Sequence, residues 1–377
     1  MTGAAAGTDG EGKDKLVVLA AGGTGGHMFP AEALGAEMKR RGWRVLLVTD
    51  KRGLRYAANF PADEILEISA ATPNVRGQIA KVVAALSIAG GLITSMIRFR
   101  KDRPAVAVGF GGYPSLPAMK GAALMKIPYG VHEQNGVLGR ANRLLVKEAA
   151  FMAHAFPQLD KAPAGVQGIE VGNPVRDAVL KAAAAPYAAI APDGEIRLLI
   201  FGGSQGASIL TETPARAIAG LPEALRRRLR VTHQARDEGA DTVKAIYEKA
   251  GVHADIAAFF DDLPQHIAEA HLVISRAGAS TVTELAIIGR PSVLAPLAIA
   301  MDDHQTGNAK ALSSHGGAII APEDAFTEKA LIDILQPLLE APARLEEMAA
   351  AAKDRVKTNA ATSLADLVEE AAFPAAA

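Results

Sequence analysis

Residues 16–27 read LVVLAAGGTGGH, and residues 197–208, just past the middle of the 377-residue chain, read RLLIFGGSQGAS. Each is a short apolar run that passes directly into a glycine-rich turn. A strand that ends in such a turn and feeds a helix gathers unpaired backbone N–H groups and the positive end of the helix dipole at one point, which favours phosphate. Gly22, Gly23, Gly25 and Gly26 leave the first turn bare; Gly202, Gly203, Ser204 and Gly206 repeat the arrangement and add a hydroxyl. Two such turns imply an internally duplicated chain with two phosphate-bearing ligands, although a single glycine turn also occurs as a plain connection with no ligand. The dinucleotide fingerprint does not fit. Met28 stands where its last glycine or alanine is required, and the second turn has no G-x-G. Asp50, closing the second expected strand, has the place of a ribose-binding acid or simply ends that strand.

Outward from the two turns, short apolar runs alternate with Ala-rich helical stretches, the pattern of parallel sheets covered by helices on both faces. Strands are expected at 16–21, 44–49, 65–69, 105–110, 128–132 and 151–155, then again at 196–201, 229–233, 256–260, 272–275, 292–295 and 318–320. The fold class is α/β, two Rossmann-like domains. The expected divisions are a flexible segment at 1–14, an N-terminal domain at 15–176, a second domain at 177–345, and a helix at 346–377 packing back toward the first domain. GNPVR at 172–176 and the Pro/Gly-containing stretch 186–194 mark the boundary, where a cleft is expected.

Composition narrows the partners. A net charge of -1 gives no global attraction to polyanions, so nucleic acid is not an expected partner. With no cysteine there is neither a disulfide framework nor a thiolate metal site. The first apolar run, 16–21, is too short for a signal peptide, so export is not expected.

From 82 to 97 there is no charged residue, and Ile79, Val82, Val83, Leu86, Ile93 and Ile97 recur at helical spacing. The stretch falls short of the roughly 20 residues that span a bilayer. Arg98, Arg100 and Lys101 follow it, as on a helix lying in the interface of an anionic membrane. The alternative is a buried helical hairpin turning at Gly90-Gly91.

GGTGGH (22–27), GGYPS (111–115), HEQN (132–135), GNPVR (172–176) and GGSQG (202–206) stand in order along the chain. FDDL (260–263), SRAGASTVTE (275–284) and DDHQTGNA (302–309) complete the set. Each is weak alone; together they resemble the bacterial glycosyltransferase family that adds N-acetylglucosamine to undecaprenyl-diphosphate-linked N-acetylmuramoyl-pentapeptide. The resemblance implies the GT-B fold, parallel sheets facing across a cleft, with UDP-N-acetylglucosamine on the C-terminal domain and the lipid-linked acceptor on the N-terminal one. It also implies a peripheral location on the cytoplasmic face of the cell membrane, which favours the interfacial reading of 82–97.

Roles carried over by the resemblance also make chemical sense. Glu284 accepts both ribose hydroxyls as a carboxylate. Ser204 and the N–H groups around it meet the UDP diphosphate, to which Arg176 adds a permanently charged fork, and Ala279, Ser280 and Thr281 are further substrate contacts. The backbone of Phe260 meets uracil. Gln305 and Asn308 match sugar hydroxyls; family members often carry two glutamines where this chain has His304 and Gln305, so the role falls on Gln305. Asn135 reaches the donor sugar or the acceptor hydroxyl, and Thr24, Gly25 and Gly26 meet the acceptor. Transfer from an α-linked donor to a β-linked product is one inverting displacement that needs a base. His27, at a helix start where the dipole favours neutral imidazole, is the first candidate, and Glu133 is the alternative. His27 could instead cap its turn or bind the acceptor diphosphate. No Asp-x-Asp triplet or zinc-like spacing is present, so neither a metal nor another cofactor is expected. Two other functions share parts of this pattern: a UDP-N-acetylglucosamine epimerase, which needs no lipid acceptor, and a non-catalytic nucleotide-sugar-binding membrane scaffold.

Overall fold

The structure, a computed structural model, describes residues 15–70, 77–203, 207–297, 303–354 and 356–374; the expected flexible segment 1–14 lies outside them. The chain divides into two compact units, Met1–Pro174 with Asn359–Ala377, and Val175–Thr358.

Unit 1 holds β1 (Leu16–Ala20), β2 (Arg44–Thr49), β3 (Glu64–Glu67), β4 (Val106–Gly109), β5 (Tyr129–Glu133), β6 (Phe151–His154) and β7 (Ile169–Glu170). They form one sheet in the order β3-β2-β1-β4-β5-β6-β7, and every pair is parallel. Central parallel strands are buried on both faces, which is why β1 is apolar at every position. Val17 and Leu19 pack against Leu34 and Met38 of the helix Gly25–Arg40 and against Leu364 and Val368 of the helix Ala360–Ala372. Leu16, Val18 and Ala20 turn to the other face and meet Phe99, Ala118 and Met119.

The C-terminal helix is also held by charge. Trp43 Nε1 donates to Glu369 Oε1 at 2.9 Å, and Arg41 pairs with Glu369 at 2.7 Å and Asp366 at 2.8 Å. The return to unit 1 starts later than the expected residue 346. The helix Pro342–Lys353 belongs to unit 2, where Leu345 and Met348 join the core, and only the helix Ala360–Ala372 packs on unit 1.

Unit 2 repeats the plan with β8 (Ile196–Phe201), β9 (Leu229–Gln234), β10 (His253–Ala257), β11 (Leu272–Ser275), β12 (Ser292–Leu294) and β13 (Ala318–Ile320). Their order is β10-β9-β8-β11-β12-β13, again all parallel. In both sheets the chain leaves the first strand in one direction and resumes on its other side, so the order reverses between β1 and β4 and between β8 and β11. Ligands of open α/β sheets bind in the crevice at the carboxyl ends of such strand pairs.

Candidate functional site

In unit 1 the turn after β1 and the loop after β4 converge on His27. The helix Gly25–Arg40 starts there with Thr24 as its N-cap, extended at φ -144 and ψ 160 and making no side-chain cap. The Thr24 hydroxyl instead lies 3.3 Å from His27 Nδ1. For Nε2 to present a lone pair, Nδ1 must carry the proton and donate to Thr24 Oγ1; the opposite tautomer leaves Nε2 protonated and unable to act as a base.

The loop after β4 seats the ring. Gly111 has φ +81, and a Cβ there would lie 3.3 Å from His27 Cδ2 and 3.5 Å from Asn142 Nδ2. Gly112 has φ +72, and its Cβ would meet Gly22 O at 2.8 Å. Glycine is required at both, by conformation and by space. Ser115 locks this loop to β1, its hydroxyl lying 2.7 Å from Ala20 O and 2.6 Å from Gly111 O.

Glu133 is placed differently from the expected alternative base. Its buried carboxylate accepts from Asn135 N (3.1 Å), Asn135 Nδ2 (3.0 Å), Gly139 N (2.8 Å) and Asn142 Nδ2 (2.8 Å). Four N–H donors occupy its lone pairs, so Glu133 orders the 133–142 loop and holds Asn135 instead of facing an acceptor hydroxyl. His132 is structural too. Burial pushes its pKa down to about 4, Nε2–H donates to Gly172 O at 2.9 Å, and Nδ1 accepts from Gln134 Nε2 at 3.1 Å.

In unit 2 the site lies at the ends of β8, β11 and β12. Gly202 N donates to Gln234 Oε1 at 3.0 Å, and Gly203 has φ +79; Ser204, the expected diphosphate ligand, lies outside the described residues. After β11, the helix Ala279–Ile288 starts at Gly278 with no side-chain cap. Ser280 Oγ is buried there without a partner among the described residues, and Thr281 is half-buried beside it. An uncapped helix start with an unsatisfied hydroxyl suits an anion.

One helical turn further on, Glu284 is buried and Arg176 Nη2 stands 3.7 Å from its Oε1. Burial pushes the Glu284 pKa up to about 7, more than the attraction of Arg176 pulls it down. Two groups are used otherwise than expected. Asn308 is fully buried and gives its amide to Ala277 O at 3.1 Å, which braces the turn before the helix rather than presenting the amide to a sugar. Gln305 Oε1 accepts from Leu297 N at 3.0 Å, and its Nε2 has no partner among the described residues. The Phe260 ring packs on His266, centroids 4.7 Å apart. Arg276, inside a quoted motif but given no role, bridges Ala295 O, Pro296 O and Glu323 Oε1 and so ties the loops after β11 and β12 to the loop after β13.

The apolar stretch of unit 1 is one continuous helix, Gln78–Lys101, with no hairpin. Gly91 faces inward at a close contact: a Cβ there would lie 2.5 Å from Ser69 O and 3.4 Å from Pro117 Cβ. Ala84, Gly91, Ser95 and Phe99 form the buried stripe. On the opposite face Val82, Val83, Leu86, Ile93 and Ile97 are 55% to 67% exposed, an unpartnered apolar stripe; the Ile79 side chain lies outside the described residues. With its basic end included, the segment Val82–Lys101 is 20 residues long and by length and composition could cross a membrane, while its charge-free part remains 82–97. Its inner face is nevertheless committed to the helix Ser115–Leu124, where a Cβ at Gly121 would lie 3.4 Å from Met96 Cγ. Arg100 and Lys101 are exposed at its end. Arg98 is not part of that charged edge: it makes a bidentate pair with Glu64 at 2.8 and 2.7 Å, and its side chain is 12% exposed.

Two Rossmann-like units, each with a glycine-rich segment at its strand-order reversal, make up the GT-B fold class, and the family match below assigns the glycosyltransferase class within it. The chain belongs to glycosyltransferase family 28: residues 17–153 match the N-terminal domain of that family and residues 197–368 its C-terminal domain. It is 48% identical over 360 residues, 95% of this chain and 99% of the relative, to the UDP-N-acetylglucosamine--N-acetylmuramyl-(pentapeptide) pyrophosphoryl-undecaprenol N-acetylglucosamine transferase of Caulobacter vibrioides. A protein of the same name from Phenylobacterium zucineum is 47% identical over 95% of this chain and 99% of its own length. The crystal structure of Acinetobacter baumannii MurG matches with a TM-score of 0.76 at 30% identity, covering 94% of this chain and 99% of that one.

Proposed function

We propose that this protein transfers N-acetylglucosamine from UDP-N-acetylglucosamine to the C4 hydroxyl of undecaprenyl-diphosphate-linked N-acetylmuramoyl-pentapeptide, forming the disaccharide precursor of peptidoglycan. The observation that carries the reading is the buried Glu284–Arg176 pair one turn from an uncapped helix start bearing Ser280 and Thr281. It supplies, within one unit, an acceptor for ribose hydroxyls and donors for a diphosphate.

His27 takes the proton from the acceptor hydroxyl through Nε2, with Nδ1–H held by Thr24. The hydroxyl oxygen forms the new bond to C1 of the sugar as the bond from C1 to the diphosphate oxygen breaks, and the departing UDP carries its charge to the helix start and Arg176. Asn135, fixed by Glu133, orients the reacting hydroxyl; Gln305 Nε2 orients the donor sugar, and Thr24, Gly25 and Gly26 face the acceptor. The Phe260 backbone meets uracil.

The apolar stripe on Gln78–Lys101, with Arg100 and Lys101 at its end, lies in the interface of an anionic membrane on its cytoplasmic face and brings unit 1 to the lipid-borne acceptor. An epimerase would share the fold and the donor handles but has no use for that stripe. A scaffold would need no turnover. Incubating the purified protein with UDP-N-acetylglucosamine and a lipid-diphosphate muramoyl acceptor should yield the disaccharide. The 2-epimer of the donor sugar, or no product at all, would overturn the proposal.

A further inference from the structure

We propose that Arg52 binds the diphosphate of the acceptor and that Asp50 is the residue that positions it. The proposal rests on the transfer reaction inferred above and adds to it a side-chain cation beside the first glycine turn.

Asp50 follows β2, next to β1 in the sheet, and is buried. Its Oδ1 accepts from Gly23 N at 3.1 Å and from Gly53 N at 2.9 Å, so one oxygen ties the first glycine turn to the start of the short helix Gly53–Tyr56. The two backbones are in close contact: a Cβ at Gly53 would lie 3.1 Å from Gly22 Cα, and one at Gly22 would lie 2.8 Å from Asp50 Oδ1. The second oxygen, Oδ2, accepts from Arg52 Nε at 3.0 Å. Asp50 is thus the brace of the turn, in place of a ribose-binding acid.

The same bond aims Arg52. With Nε committed to Asp50, the guanidinium lies over Gly23, its Nη2 3.5 Å and its Cζ 3.8 Å from where a Cβ of Gly23 would stand. A Cβ at Gly23 would only touch it, and the positive φ of +83 is what favours glycine there. Both Nη atoms have no partner among the described residues, and the side chain is 56% exposed. Three N–H donors cover the Asp50 carboxylate, so the edge presented beside the turn is the Nη fork, the geometry that matches phosphoryl oxygens. A diphosphate has two phosphoryl groups to place. The uncapped start of the helix at Gly25 and Gly26 offers backbone N–H groups for one, and Arg52 offers the fork for the other.

The test compares Arg52→Gln, Arg52→Lys and Asp50→Asn with the unaltered protein in steady-state transfer to a soluble acceptor whose muramoyl-pentapeptide diphosphate carries a short prenyl chain. Arg52→Gln should raise the acceptor KM about tenfold or more, the usual effect of one charge-assisted phosphate contact, while the KM for UDP-N-acetylglucosamine stays within about twofold. Arg52→Lys should recover part of the loss, and Asp50→Asn should fall between. Titration calorimetry with farnesyl diphosphate and farnesyl monophosphate needs no turnover: the unaltered protein should prefer the diphosphate, and Arg52→Gln should lose that preference. Arg52-dependent diphosphate binding without turnover would remove the transfer reading and keep the clamp. Normal turnover with an unchanged acceptor KM in Arg52→Gln would remove the clamp and keep the transfer.

Discussion

Replacing Glu284 by Gln should act in opposite directions on the free protein and on its donor complex. In the free protein, burial raises the Glu284 pKa from 4.5 to about 7 against the pull of Arg176. A carboxyl with a raised folded pKa binds more protons folded than unfolded, so its contribution to stability falls as pH rises from 4.5 to about 7. Above that window the buried anion costs on the order of 3 kcal/mol. Glu284→Gln removes the cost, and its stability should decline less than that of the unaltered protein over this range. In the proposed donor complex the preference is reversed, because there the ribose hydroxyls would donate to the ionised carboxylate. Donor affinity should therefore rise as pH passes through about 7, with protons released on binding below it. The variant offers one neutral carbonyl oxygen in place of two charged ones and should lose about 2 kcal/mol of affinity, roughly 30-fold, together with the pH dependence. Titration calorimetry with UDP-N-acetylglucosamine, whose diphosphate does not titrate in this range, reads affinity and proton count in buffers of different ionisation enthalpy. A pH-independent affinity in the unaltered protein, or an unchanged affinity in Glu284→Gln, would refute the reasoning.

Further outcomes follow from the geometry. Leu86→Gln with Ile97→Gln removes the two most exposed side chains of the apolar stripe; at about 1–2 kcal/mol each, co-sedimentation with anionic vesicles should drop about 30-fold or more with no change in Tm. Arg100→Glu with Lys101→Glu should weaken the same binding in a salt-dependent way, whereas Arg98→Glu should lower Tm by opposing Glu64. Glu133→Gln sets an amide among four N–H donors and should lower both Tm and turnover, while His27→Ala should abolish turnover at unchanged Tm, as thermal unfolding run beside the transfer assay would show. In the proposed mechanism helix starts and Arg176 serve the leaving group, so turnover should survive chelator, and its complete loss would contradict that mechanism.

The sheets were legible because central parallel strands are apolar at every position. β8, β11 and β13 fall on the residues read from sequence. β10 does not. It is an edge strand whose residues are half-exposed, so the apolar run 256–260 misled, and Phe259 and Phe260 lie in the following loop. β7 is two residues long and carries no pattern. Glycine pairs likewise read two ways: Gly90-Gly91 suggested a turn, yet Gly91 lets a helix approach Pro117.

Among the site residues, those legible in sequence stand beside glycine turns and helix starts. The partners that fix their use are distant in the chain and left no local signal. Arg176 meets Glu284 across 108 positions, Asp50 holds Gly23 across 27, and Asn142 joins Glu133 across 9. Arg98 reads as a membrane cation until Glu64, 34 residues away, is seen to hold it. A side chain's type and periodicity tell what it can bind; only the fold tells whether another group already occupies it.

The most direct test of the account is a crystal structure with UDP-N-acetylglucosamine bound. The ribose hydroxyls should lie within hydrogen-bond distance of the Glu284 carboxylate, with the diphosphate at the helix start of Ala279–Ile288 and Arg176. A nucleotide seated on unit 1 beside His27, or anywhere away from Glu284, would contradict it.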